Sequence, residues 1–126
     1  LRDMMLVAAA GPAANLVMAL GWALTAKLAL VMPNNYFTDP LFLISQAGVM
    51  VNLVLMLLNL IPLLPLDGGR IVAGLLPTRM ADQYARLEPW GFPILLALMF
   101  TPALGIVLKP MLAGSLQLIA NAFGML

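Results

Sequence analysis

Histidine and cysteine are both absent from the 126 residues, and charge is scarce, with Asp, Glu, Lys and Arg together making up 9%. Without cysteine there are no disulfides and no thiolate chemistry, although the redox compartment stays open. Without histidine the chain lacks the commonest metal ligand and the commonest general base. Soluble domains carry about 25% charged and about 45–50% apolar residues. Here 63% are hydrophobic and the mean hydropathy is +1.05, so no water-facing surface can be assembled. A net charge of +1 gives no electrostatic basis for nucleic-acid binding.

What is present is a succession of apolar runs. Residues 4–32 hold a single charge, Lys27. At about 1.5 Å per residue this run is longer than a hydrocarbon core about 30 Å thick. It must tilt, kink or begin in the interface, and Gly11-Pro12 predicts a kink. Residues 33–40, with proline at each end, predict a turn, and the uncharged run 41–61 a second span. The string Pro62-Leu63-Leu64-Pro65-Leu66-Asp67-Gly68-Gly69-Arg70 cannot continue a regular helix. A short helix is expected over 71–76, stopped by Pro77, before the polar stretch 78–89. The last apolar region is interrupted at Pro93, Thr101-Pro102 and Lys109-Pro110. It reads either as one broken span plus a terminal interfacial helix or as a hairpin of two short helices.

The expected fold is therefore all-α, a polytopic transmembrane bundle of three to four membrane segments with a proline-broken helix before Asp67. Residues 1–126 form one transmembrane domain in contact with the lipid bilayer. Arg70, Arg79 and Arg86 lie between the second and third runs, whereas the 33–40 turn has no Lys or Arg. That asymmetry predicts segment 69–90, and Arg2 with it, on the cytoplasmic side of the cell membrane. Lys27 is expected to snorkel toward the opposite surface.

Two helix faces stand out. Ala8, Gly11, Asn15, Ala19 and Ala26 fall on one stripe, and Ser45, Gly48, Asn52 and Asn59 on another. Small and polar residues collect where helices pack, since lipid offers no hydrogen-bond partners. Asn15 and Asn52 read as interhelical glue. Asn59 reads as functional, because it stands just before a break where backbone groups lose their partners.

An acidic residue at such a break is a candidate functional group. The bland alternative is that Asp67 only caps the short helix that follows. Two motifs weigh against it. Asn59-Leu60-Ile61-Pro62-Leu63-Leu64-Pro65-Leu66-Asp67-Gly68-Gly69-Arg70 resembles the Leu-Asp-Gly element of the site-2 protease family, the zinc metalloproteases that cut within membranes. Ala10-Gly11-Pro12-Ala13-Ala14-Asn15 is similar to that family's Gly-Pro-x-x-Asn helix. Both occur in the family's order, and the Arg2-Asp3-Met4 and 84–91 stretches resemble its compact bacterial members.

The resemblance implies that Asp67 is the carboxylate ligand of a catalytic Zn2+, and that Asn59 contacts the substrate backbone or developing negative charge. Gly68 and Gly69 would turn the chain beside the metal, with Arg70 near enough to orient the carboxylate. Gly11, Pro12 and Asn15 would form the supporting helix, and the substrate would be a transmembrane helix. Zinc held by two imidazoles and a carboxylate keeps a position open for an activated water.

The family's H-E-x-x-H helix, with the other two ligands and the general base, has no counterpart among these residues. We expect this chain alone to be inactive. The start at Leu1, without methionine or a cleavage pattern, leads us to expect the C-terminal portion of a larger protease. The alternatives are a degenerate relative, or a non-catalytic transporter or channel subunit or scaffold.

Overall fold

A computed structural model describes residues 2–64 and 66–125, with only the backbone of Arg2. Six helices, α1 (Arg2–Val31), α2 (Thr38–Asn59), α3 (Asp67–Leu75), α4 (Thr78–Ala85), α5 (Glu88–Met99) and α6 (Ala103–Ala122), account for the regular structure, with no strand among the described residues. Three of them, α1, α2 and α6, are long and apolar enough to cross a membrane. The all-helical membrane architecture read from the sequence is the one observed.

The bundle is seated on the α1 stripe. Ala8, Ala19 and Ala26 are buried, as are Ala23 and Ala29. The stripe of α2 faces it, with Ser45 and Asn52 buried and the Trp22 ring lying directly on Gly48, where any side chain would collide. A core of Ala19, Ala23, Val49, Leu53 and Ile119 joins α1, α2 and α6. The stripes pack, and the polar groups of the α2 stripe bond within α2 rather than across to α1. The Asn52 amide donates to the Gly48 carbonyl at 2.8 Å and the Ser45 hydroxyl to the Leu41 carbonyl at 2.7 Å, each within its own helix. A carbonyl one turn back is within reach of a short polar side chain, so no partner helix is needed.

Prolines end fewer helices than expected. Pro12, Pro93 and Pro110 all lie inside helices. Each removes one backbone donor, a loss that helices in membrane bundles absorb. The last region is instead broken at Phe100–Pro102, into a twelve-residue helix too short to cross and a twenty-residue one that is long enough. The 33–40 turn closes early, since α2 begins at Thr38, with Asp39 and Pro40 in its first turn. Proline costs nothing there because first-turn amides have no intrahelical acceptor. Asn35 fixes the turn, its side-chain Oδ1 accepting from the Phe37 backbone amide at 2.8 Å and its backbone N–H donating to the Thr38 hydroxyl at 3.1 Å.

Lys27 does not simply snorkel. Its ammonium donates to the Gly124 carbonyl at 3.2 Å, at the end of α6. There Gly124 adopts a φ of +66°, the Met125 amide donates to Ala120 at 2.8 Å and the Gly124 amide to Asn121 at 3.2 Å. This is a Schellman cap, and a cation beside it is favoured by the helix dipole.

Candidate active site

The break after α2 falls where the two prolines require it, with Asn59 the last helical residue. Beyond it the chain folds tightly back on the start of α3. A Cβ on Gly68 would strike the carbonyls of Leu60 and Ile61, and one on Gly69 would come within 2.5 Å of the Leu63 and Leu64 backbone. Both glycines are buried, and only hydrogen fits at either position. The short helix therefore starts at Asp67 itself, four residues earlier than expected.

That placement bears on the capping reading of Asp67. The N-cap of α3 is Leu66, with no side-chain cap bond. The Asp67 carboxylate turns instead onto α1, where its Oδ2 lies 2.8 Å from the point a Cβ on Gly11 would occupy. Gly74, farther along α3, packs on Met5. Thus α3 runs antiparallel to α1, with Asp67 its innermost residue. Gly11 follows Met4 by seven residues, which puts the carboxylate about 10 Å inside the apolar part of α1. The group is half-buried, and no hydrogen bond or ion pair to it occurs among the described residues.

Asn59 reaches the same level. Trp22 meets Gly48 across the antiparallel α1–α2 pair. Eleven residues back along α1 stands Gly11, and eleven forward along α2 stands Asn59. One N–H of the Asn59 amide donates to the Leu55 carbonyl at 2.9 Å. The amide keeps a second N–H and its oxygen for another partner. Pro12 is buried beside Gly11, and Asn15, one turn on, is half-buried.

Arg70 is exposed and lines a cavity of about 150 Å³ together with Met4, Leu64, Asp82 and Glu88, and no ion pair between it and Asp67 occurs among the described residues. Tyr84 was not foreseen as part of this region. Its hydroxyl donates to the Pro62 carbonyl, and burial raises its phenol above the usual value.

A sequence model of Peptidase family M50 matches residues 34–102, more than half the chain. The chain belongs to peptidase family M50. Asn59, Asp67, Gly68 and Gly69 all lie inside the matched M50 region, and the Gly11–Asn15 motif precedes it. The chain is 36% identical over 126 positions to "Putative zinc metalloprotease YwhC" of Bacillus subtilis (strain 168), covering 94% of this chain and 55% of that protein. It is 32% identical over 107 positions to "Putative zinc metalloprotease Rip2" of Mycolicibacterium smegmatis, covering 82% and 38%. It spans about half the length, or less, of these M50 relatives. No solved structure matches.

Family membership implies zinc. The Asp67 carboxylate fits one corner of such a site, since its lone pairs are uncommitted. The whole donor set does not fit: a catalytic zinc takes three protein ligands, and no group of three His, Cys, Asp or Glu side chains comes together among the described residues.

Proposed function

We propose that this M50 chain supplies the carboxylate corner of a zinc-dependent intramembrane protease. The two imidazole ligands and the general base would come from an H-E-x-x-H helix outside these 126 residues. Residues 1–126 are then one transmembrane domain, the C-terminal part of the enzyme, and are inactive alone. The observation that carries the reading is Asp67: an acidic side chain inside the apolar part of α1, laid on a glycine and free of partners among the described residues. Such a group is expensive in a membrane unless something uses it.

Within that site the chain's own residues have separable tasks. Asp67 presents carboxylate oxygens at the start of α3, where the helix dipole favours negative charge. Gly11 leaves the space that the carboxylate occupies. Asn59 holds its spare N–H toward the same level, as a donor to a substrate carbonyl or to the charge that develops on it. Bound zinc would supply an activated water and polarisation of the scissile carbonyl. The substrate class is a transmembrane helix, locally unwound at this depth, and segment 69–90 faces the cytoplasm.

Ligand counting gives the test. Purified in detergent, the 126-residue chain should hold well under one zinc per chain and leave a transmembrane reporter uncut. Co-expression with a segment carrying H-E-x-x-H should restore both, read by elemental analysis and reporter cleavage. Stoichiometric, tightly held zinc on the chain alone would mean that Asp67 is not the ligand we assign.

A further inference from the structure

We infer that Tyr84 is a positioning residue for the Asp67 turn, its hydroxyl bracing from α4 the loop on which the carboxylate depends. This rests on the reading that Asp67 serves the active site. The loop after α2 has lost the regular helical bonding pattern. Its backbone bonds are short-range ones, Leu63 to the Ile61 carbonyl at 2.7 Å and Leu66 to the Leu63 carbonyl at 2.8 Å. Neither engages the Pro62 carbonyl, which takes the Tyr84 hydroxyl from a residue twenty-two positions later.

The contact is built into the packing of α4. Ala81, one turn before Tyr84 and on the same face, is buried, and the cavity it lines is shared with buried Leu64 of the loop. The loop in turn cannot move without moving α3. Gly68 lies under the Leu60 and Ile61 carbonyls and Gly69 under Leu63 and Leu64, with no room for even a methyl group. Displacement at Pro62 therefore passes through backbone contacts to the residue next to Gly68, which is Asp67. Tyr84 belongs to the polar segment outside the three long apolar helices, so the carboxylate is braced from outside the membrane-crossing part. A phenol whose ionisation is pushed upward by burial stays a donor throughout the neutral range.

The test is Tyr84→Phe in the full-length, active protein that contains this chain, with Tyr36→Phe in the exposed 33–37 loop as the control. Backbone amide exchange over residues 60–70 should quicken by about ten-fold, the worth of one hydrogen bond, while exchange in the middle of α2 stays as it was. Turnover should fall by a similar factor with KM changed less than about two-fold. Unchanged exchange at 60–70 would overturn the inference, as would faster exchange there with undiminished turnover, which would make the bond merely structural. Asp67→Ala, run alongside, separates the two readings. If it retains activity, the assignment of Asp67 fails. If it is inactive while Tyr84→Phe matches the control, only the bracing fails.

Discussion

Replacing Gly11 by alanine should damage catalysis while leaving stability equal or improved. The added Cβ would stand 2.8 Å from Asp67 Oδ2 and 3.8 Å from its Cγ. Carbon–oxygen contacts of the C–H···O kind close at about 3.3–3.6 Å, so the oxygen must retreat by about 0.5–0.8 Å. A carboxylate can do this by rotating its side chain, with no backbone shift, so the fold survives. Alanine within a helix is also favoured over glycine by about 0.5–1 kcal/mol. Misplacing a reacting group by about 1 Å costs on the order of 10²-fold in rate, so a shift somewhat smaller should cost about ten-fold. Gly21→Ala is the matched control, since nothing lies within 4 Å of its Cβ position. Thermal midpoints and cleavage of a membrane-inserted reporter would be measured on the full-length protein. Both midpoints should equal or exceed that of the parent, and only Gly11→Ala should lose activity. Equal activity in the two variants would refute the claim that the Gly11 gap sets the position of the carboxylate.

In the same full-length protein, Asp67→Ala should lose both zinc and activity. Asn59→Ala should keep zinc and slow turnover by roughly 10²–10³-fold if its free N–H acts on developing charge; zinc held at parental affinity in Asp67→Ala would sink the ligand assignment. Single cysteines at Gln83 and Asn35, probed with an impermeant thiol reagent on intact cells, should label only at Asn35, and the reverse pattern would invert the topology. Burial raises the Tyr84 phenol above its ordinary value of about 10. The folded state thus holds that proton to higher pH than the unfolded state. Its contribution is fully present below about pH 10 and lost as pH climbs through the folded value. Midpoints measured across the alkaline range should fall more steeply for the parent than for Tyr84→Phe.

Proline shows how far the fold could be read from residues alone. The pair at Pro62 and Pro65, followed by Asp67-Gly68-Gly69, ends α2 where expected, because two lost donors and a run of turn formers act locally and together. A single proline is weaker. Pro93 and Pro110 stand inside helices, and Pro40 occupies a first turn, where its missing amide has no role. The breaking power of proline depends on its place in the helix and on its neighbours. The sequence shows the neighbours, but not where a helix starts.

The site was legible in its parts and not in their meeting. Spacing by three, four and seven marks the α1 and α2 stripes, and family motifs mark Asp67 and Asn59. No periodicity says that Asp67 will lie on Gly11, or that Tyr84 will reach Pro62. Those meetings depend on register between antiparallel helices. The register is pinned where the Trp22 ring lies on Gly48, eleven residues from the site along each helix and so about 16 Å away. An indole against a bare backbone admits little sliding, because a slip of one turn along that face would set it against the side chain of Ser45 or Asn52. The glycine of the second stripe thus fixes which residues of α1 and α2 share a level. Through that distant contact Gly11, against which Asp67 lies, shares a level with Asn59.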